Sequence, residues 1–417
     1  MSSDVMRVRL HLRRVRVLVV VSDAPFELVV EVESAVRRPR CPECGFACSS
    51  VRDVRSKRVR DLEVSGRTVV LLWRRPRMAC GGCCGRFLED HPVFEGALTA
   101  RLARRLVADA RVMPIRRVAR RHKIGWHKIG WHKIGWHKIG WHKIGWHKIN
   151  ALVGAWAALV AARRRSRSCR VLSVDETSMR KRHRYVTVIV NADTGQTLAM
   201  VPHRSAAALS GFFASQGRKW CKQVKIVVTD GSPAYRSAIA THLGHARHVL
   251  DRFHVIRWFS AGLTAVRRDV QRRQPGGPQP AFDPQVFKAR FALLKRADTL
   301  TGTDRARLDE IFDAHPRLEA AWQALQQLRG LYDADDHHRA LHLDNFSDLY
   351  QTGQLPEFHD IVNTFIEWSD EILNWHHTGR PSNGRIEGTN NLLQVLRRTA
   401  HGFTNPHNFQ ARGLQIT

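Results

Sequence analysis

The sequence predicts a multidomain α/β protein, and three observations support that prediction. The 417 residues are 43% hydrophobic, which is enough to fill more than one core. Two Cys-x-x-Cys pairs near the N-terminus indicate a small metal-binding module. Beyond Cys169, short apolar segments typical of strands alternate with helical ones, and a long helical region follows.

The charge of the chain points to its partner. Lys and Arg total 68 against 37 Asp and Glu, so the formal net charge is +31. A protein so basic is typical of those that bind nucleic acid, because neutralising phosphates releases counterions. An ordinary metabolic enzyme is therefore disfavoured. No stretch approaches the roughly 18 apolar residues of a membrane span, so no membrane partner is expected.

The cysteines crowd near the N-terminus. Six of the eight fall between Cys41 and Cys84, which in a long basic chain is typical of a metal site in a reducing cytoplasm. Two residues between thiolates let one turn present both sulfurs to one metal, and two such turns complete a tetrahedral site. Residues 1–98 are therefore predicted to be a zinc-ribbon-like module with a structural Zn²⁺. The predicted ligands are Cys41, Cys44, Cys80 and Cys83. Cys48 and Cys84 remain spare candidates, and buried free thiols or a redox pair are the alternatives.

A helix-turn-helix is predicted within residues 99–168. Thr99–Arg111 has the pattern of a basic amphipathic helix, and Pro114 begins a second helix. A pentapeptide, His-Lys-Ile-Gly-Trp, then repeats from His122 and ends in a partial copy at Ile149. With four copies removed, a helix, a short turn with Gly and another helix remain. The expected DNA-contacting residues of this segment are Arg116, Arg117, Arg120 and Arg121.

The repeat itself has two interpretations. A period of five turns each copy by about 140° around a helix, so no continuous apolar face forms. A Trp/His/Lys tract that binds nucleic acid or metal is one interpretation. A tandem expansion of coding sequence is the favoured interpretation, because the flanking sequences form a continuous helix-turn-helix pattern without it. We therefore expect the expansion to impair base reading by this module.

Residues 169–262 are predicted to form an α/β core. The expected order is three strands, a helix, a strand, a helix and a strand. An antiparallel meander followed by βαβ crossovers is the ribonuclease H-like layout. The five predicted strands are Arg170–Val174, Tyr185–Val190, Thr197–Val201, Val224–Thr229 and His248–Leu250.

Two acids follow apolar strands of this core. Asp175 and Asp230 are each expected at the C-terminal end of a strand. If those strands are parallel neighbours, both carboxylates emerge at one sheet edge, where they repel unless a divalent cation binds. Oxygen ligands with room for phosphate favour Mg²⁺, and two such ions about 4 Å apart suit phosphoryl transfer.

A third carboxylate is expected from a later helix. In the string Ser382–Leu393, Glu387 shares one polar face with Asn390, while Ile386 falls on another face. Residues 377–417 are therefore predicted to complete the core, with Arg397 and Arg398 near the DNA backbone. Residues 263–376 between the two parts of the core are predicted to be an all-helical insertion. Taken singly, each acid could equally be a turn, capping or solvent-exposed residue.

These strings together resemble the ISL3 family of bacterial insertion-sequence transposases, part of the Asp-Asp-Glu superfamily. The resemblance includes the cysteine module, Val174-Asp175-Glu176 and Val228-Thr229-Asp230-Gly231. The string Ser382–Asn391 is its most specific part. The resemblance implies that Asp175, Asp230 and Glu387 bind two Mg²⁺ ions. It also implies a role at the active site or on DNA for His254, in an Asp-x-x-His motif, although a core histidine is the alternative.

The function that the resemblance implies is DNA transposition. Such an enzyme cuts transposon ends and joins the 3′ hydroxyl to target DNA. Its partners are double-stranded terminal inverted repeats, target DNA and further copies of itself, in a bacterial, nucleoid-associated setting. The alternatives are a ribonuclease H-like nuclease without strand joining, a zinc-containing DNA-binding regulator, and an inactive relic.

Overall fold

The computed structural model describes residues 10–36, 38–124, 146–165, 168–180, 184–272, 283–334 and 355–417. Most of the pentapeptide repeat, residues 125–145, lies outside this part of the chain. The chain divides into two compact units. The first is Met1–Arg163 with Leu392–Thr417, and the second is Arg164–Asn391.

A mixed sheet forms the N-terminal part of the first unit. Its strand order is β1-β2-β4-β3-β7-β6, with β5 paired to β4. The long β3–β4 hairpin turns at Ser65 and Gly66, which both have positive φ, as a type I′ turn requires. The strands are β1 (Val15–Asp23), β2 (Glu27–Ser34), β3 (Val51–Val64), β4 (Arg67–Ala79), β5 (Arg86–Leu88), β6 (Phe94–Glu95) and β7 (Leu98–Thr99).

The described part of the first unit also contains the helices α1 (Ala100–Val112), α2 (Ile115–Arg121), α3 (Trp146–Arg165) and, near the C-terminus, α14 (Pro406–Ile416). The first three share one apolar core, in which Leu106, Val118, Ile124 and Val153 are buried. The C-terminal helix joins them, because the Gln415 amide donates to the Val153 carbonyl at 2.8 Å.

A five-stranded sheet organises the second unit, in the order β10-β9-β8-β11-β12. The strands β8, β9 and β10 are antiparallel, while β11 is parallel to both β8 and β12. The predicted parallel neighbours are therefore present. The strands are β8 (Val171–Arg180), β9 (Arg184–Asn191), β10 (Gln196–Pro202), β11 (Ile226–Thr229) and β12 (Arg247–Leu250).

One strand boundary was predicted wrongly. We expected the first core strand to end before Asp175, but β8 continues to Arg180. Its parallel pairing with β11 stops at Ser173, whereas its antiparallel pairing with β9 extends to Arg180. The strand continues because β9 supplies hydrogen bonds past the point where β11 ends. Asp175 therefore lies inside a strand, just beyond the end of its parallel neighbour.

Helices cover both faces of this sheet. Alternate residues of β8 point to opposite faces: Leu172 packs in one core with α4 (Ala206–Gln216), α5 (Arg218–Cys221) and α6 (Pro233–Leu243). Val171 belongs to another core, which includes α7 (Arg252–Arg272). A sheet buried on both sides explains the nearly continuous apolar runs of its parallel strands.

The helical insertion follows α7. Its next helix, α8 (Pro284–Lys288), is short. Beyond it, hydrogen bonds such as Arg290 N–H to Phe287 O span three residues, and three-residue turns replace the α-helix. The other helices are α9 (Gly302–Ala314), α10 (Pro316–Asp333), α11 (His359–Glu367) and α12 (Ser369–His377), with short 3₁₀ helices at Ala297–Thr299 and Pro356–Phe358.

Helix α13 (Gly384–Thr399) begins in the second unit and ends in the first. Ile386 and Leu393 are fully buried on it, as their predicted apolar face requires. None of the described helices combines the length and apolarity that a membrane crossing needs.

Candidate active site and zinc centre

Asp175 is held at the sheet by two hydrogen bonds. Its side chain is buried, with 8% of the residue exposed. One carboxylate oxygen accepts the Glu176 backbone N–H at 2.7 Å, and the other accepts the Asn390 side-chain amide at 2.8 Å. Asn390 comes from α13, so the helix that carries Glu387 reaches the core strand.

Asp230 follows β11 in a tight turn. Gly231 has φ +87°, and a Cβ there would lie 3.1 Å from the Leu250 side chain and 3.2 Å from Trp258. Only glycine fits this turn, because it needs both a positive φ and close contact with neighbouring side chains. The turn directs Asp230 towards Asp175.

Asp175, Asp230 and His254 form one cluster. One ligand atom from each lies within 4.8 Å of the others. His254, near the start of α7, is oriented by the fully buried Asp251, whose carboxylate lies 3.0 Å from Nδ1. Burial works to lower the pKa of His254, but the hydrogen bond to Asp251 and the charge of Asp175 raise it overall.

Two adjacent carboxyls hold protons unusually tightly. Burial, with the charge of Asp230 adding to it, raises the pKa of Asp175 to about 6. Burial and the same charge raise the pKa of Glu176 to about 7. Such crowding of acids is costly without a cation and is typical of functional sites.

Among the described residues, Arg204 is a cation that pairs with these acids. Its Nε lies 2.5 Å from a Glu176 carboxylate oxygen, and another nitrogen lies 3.8 Å from Asp230. Arg204, which follows β10 outside any motif, was not predicted from the sequence. Glu176 was not predicted as a site residue either, although the Val-Asp-Glu string contains it. Asn390 was noted only as a neighbour of Glu387.

Glu387 lies one helical turn before Asn390, and it is exposed. Its carboxylate is not part of the cluster of Asp175, Asp230 and His254. Residues three apart share a helix face, so Glu387 lies on the side of α13 from which Asn390 reaches Asp175.

The cluster suits a hard divalent cation. Oδ1 of Asp230 is buried and has no hydrogen-bond partner within the described ranges. The two carboxylates, with Oδ1 of Asp230 unpartnered, are ligands that Mg²⁺ accepts, and the imidazole of His254 lies beside them. The residues present therefore fit the group that the sequence predicted.

The four predicted zinc ligands meet at one point. Their sulfur atoms lie within 4.8 Å of one another, with 3.7 Å between Cys41 and Cys83 and 3.4 Å between Cys44 and Cys80. Tetrahedral zinc with bonds of about 2.3 Å places sulfurs about 3.8 Å apart. Cys48 instead donates to the Phe46 carbonyl, and neither it nor Cys84 belongs to the cluster.

Equivalent backbone turns present the two cysteine pairs. The Cys41 N–H donates to Phe46 O, and the Cys80 N–H donates to Gly85 O, each at 2.9 Å. Positive φ occurs at Gly45 in the first turn and at Cys84 in the second. Backbone N–H groups of Cys83 and Gly82 lower the pKa of Cys80 to about 6, which favours the thiolate that zinc binds.

The arginines predicted to contact DNA lie on two helices. On α2, the exposed set is Arg116, Arg117, Arg120 and Arg121. On α13, Arg398 is exposed and Arg397 is half-buried.

Comparisons with known proteins give the family. Residues 172–413 match the ISL3 transposase family model, and residues 37–83 match the zinc finger of the IS204/IS1001/IS1096/IS1165 transposases. The transposase of insertion sequence IS1001 from Bordetella parapertussis is 27% identical over 88% of this chain and 86% of its own length. The transposase of IS1557 from Mycobacterium tuberculosis is 28% identical over 62% of each chain. The zinc-finger match and the four-thiol cluster together support a structural zinc ion. The chain therefore belongs to the ISL3 family of insertion-sequence transposases.

Proposed function

We propose that this protein is an Asp-Asp-Glu transposase that cuts transposon ends and joins the 3′ hydroxyl to target DNA. The observation that supports it is the cluster of Asp175, Asp230 and His254 within 4.8 Å, beside the helix that carries Glu387. Two acids and a histidine that are distant along the chain have no reason to converge in a DNA-binding regulator.

Each residue has a distinct role in this proposal. Asp175, Asp230 and Glu387 would hold two Mg²⁺ ions, and Asn390 fixes the Asp175 carboxylate. His254, oriented by Asp251, accepts or holds a proton beside the reacting phosphate. Mg²⁺ held there would supply the charge that activates the attacking oxygen, of water and then of the 3′ hydroxyl, and that stabilises the leaving oxygen.

We also propose that the second unit contains a ribonuclease H-like core. The sheet order β10-β9-β8-β11-β12 supports this, with an antiparallel meander followed by two parallel strands. The proposed domains are a zinc module at 1–98, a helix-turn-helix segment at 99–168, core parts at 169–262 and 377–417, and a helical insertion at 263–376.

The proposed partners are double-stranded terminal repeats, target DNA and further copies of this chain. The net charge of +31 and the exposed α2 arginines support DNA binding. Synapsis of two ends requires more than one protomer. A cytoplasmic, nucleoid-associated location follows from these partners.

Mg²⁺-dependent nicking of linear DNA that carries the element's ends tests this proposal. Wild-type protein should nick at the ends, and Asp230→Asn should lose at least about a hundredfold in rate, since the variant keeps the shape but not the charge. His242→Asn, an ordinary substitution on α6 away from the cluster, is the control. Equal nicking by Asp230→Asn would remove the acid assignment.

The products separate the alternatives. Nicked ends that join target DNA indicate a transposase, whereas nicking without joining indicates a structure-specific nuclease. DNA binding without nicking by wild-type protein indicates a regulator or a relic.

A further inference from the structure

A buried chain of polar side chains begins beside Asp230. Thr229, the last residue of β11, is fully buried, and its hydroxyl oxygen lies 2.8 Å from Nε2 of His248 on β12. Nδ1 of His248 lies 3.5 Å from the carboxylate of Glu371 on α12. The three residues therefore link the end of β11 to the helical layer.

The Glu371 end of this series of polar side chains is fixed by an ion pair. Glu371 is buried, and Arg236 of α6 donates to both of its carboxylate oxygens, at 2.6 and 3.0 Å. The Arg236 guanidinium also lies over the Trp368 ring, at 4.6 Å from its centroid. A bidentate pair of this kind has a defined geometry, so the Glu371 oxygens are fixed acceptors.

The direction of each hydrogen bond follows from which of these side chains can donate and which can only accept. An ionised Glu371 only accepts, so the hydrogen that faces it belongs on Nδ1 of His248. Nε2 of a neutral His248 is then an acceptor, and the Thr229 hydroxyl donates to it. The Thr229 oxygen retains a lone pair, towards which the Gly231 N–H points at 3.5 Å.

Thr229 also contacts the backbone next to both Asp230 and His254. Its carbonyl accepts the Asp251 N–H at 2.9 Å, and Asp251 orients His254. Its hydroxyl oxygen accepts the Gly231 N–H, and Gly231 belongs to the turn that orients Asp230. Within the described ranges, Oδ1 of Asp230 has no hydrogen-bond partner and its other oxygen lies 3.8 Å from Arg204, so the turn and Arg204 together orient that carboxylate.

We propose that Thr229, His248 and Glu371 form a positioning relay that holds Asp230 in the geometry for divalent-metal binding. The relay does not touch the reacting atoms. It rests on the proposed function, because it presumes that Asp230 is a metal ligand. Groups that orient metal ligands from behind commonly change metal affinity by 10–100-fold, roughly, when removed.

Mn²⁺ binding by the full-length protein, measured by electron paramagnetic resonance, tests the relay. Thr229→Val keeps the side-chain shape without the hydroxyl and should weaken Mn²⁺ binding about tenfold or more. Thr229→Ser restores the hydroxyl and should return affinity to within about threefold of wild type. Thr197→Val on β10 is the matched control, since the buried Thr197 hydroxyl has no hydrogen-bond partner in the described part of the chain.

A double-mutant cycle tests the connection to His248. His248→Phe keeps the ring against Trp368 but removes the acceptor, and it should weaken Mn²⁺ binding as Thr229→Val does. The double variant should bind no more weakly than either single variant, because both break one relay. Thermal unfolding of each variant separates loss of fold from loss of positioning.

Three outcomes would overturn the relay: wild-type affinity in folded Thr229→Val, equal weakening by Thr229→Ser, or additive losses in the double variant. Failure of the metal site itself has a different signature. If wild-type protein binds no Mn²⁺, or if Asp230→Asn binds Mn²⁺ as tightly as wild type does, both the metal site and the relay are overturned.

Discussion

Glu176 is one of two residues whose negative charge the site disfavours, the other being Asp175. Its ion pair with Arg204 is outweighed by burial and by the charge of Asp230, so its pKa rises to about 7. Asp175 beside it has a pKa of about 6 for the same reason. Metal-free protein near neutral pH therefore carries a proton that metal binding must displace.

This predicts how stability depends on pH. An acid whose folded pKa is raised binds its proton more tightly in the folded state, so stability falls as pH rises from its ordinary pKa to its folded pKa. For Glu176 the window runs from about pH 4.5 to about pH 7. Glu176→Gln should therefore gain stability relative to wild type across that window, by an amount that becomes constant above it.

Thermal midpoints of metal-free protein at constant ionic strength measure this difference. Glu319→Gln, on the insertion helix α10, controls for loss of one negative charge. A difference between Glu176→Gln and wild type that does not change with pH would contradict the raised pKa.

The β3–β4 hairpin is the element that makes the zinc site. The 35 residues between the cysteine pairs exceed the usual ribbon spacing. Because the hairpin runs out and back, Val51 pairs with Met78 and both cysteine pairs emerge at the same end. The spacing therefore reflects the length of the strands and not the size of the site.

Removal of a zinc ligand tests whether the metal stabilises the open end of the β3–β4 hairpin. Cys80→Ser should lose the bound zinc and expose the amides near Val51 and Met78, because the metal closes the open end of the hairpin. Zinc content per chain and hydrogen exchange of those amides are the measurements. Cys84→Ser, the adjacent cysteine outside the cluster, should keep about one zinc per chain. Retention of zinc by Cys80→Ser would mean that another residue replaces the ligand.

At the scale of the whole molecule, the first unit assembles from distant parts of the chain. Ile124, in the first pentapeptide copy, and Ile149, in the last, are both buried in the core of α1, α2 and α3. The described flanks of the repeat thus occupy one core, as a helix-turn-helix with an expanded turn would require. The C-terminal helix α14 packs on the same module.

Deleting residues 127–146, four pentapeptide copies, should increase specific binding to the element's terminal repeats by at least about tenfold. The shorter connection places the second helix directly after the turn. Binding to random DNA should change by less than about threefold, because only four of the 68 Lys and Arg residues are removed. Electrophoretic mobility shifts at one fixed salt concentration measure both. No gain in specific binding would show that the expansion leaves base reading intact.

The sequence alone predicted the four clustered cysteines, most strands and helices, and the positions of Asp175 and Asp230 on apolar strands, because each depends on local spacing and periodicity. That these two acids meet depended on the parallel pairing of β8 with β11, which the sequence analysis stated only as a condition. Only the tertiary structure decided that Asp175 lies inside β8, that Asn390 contacts it, and that Arg204 and Glu176 face the same acids. Those contacts join residues far apart in the chain, whose proximity depends on sheet pairing and helix packing. No local pattern encodes that proximity.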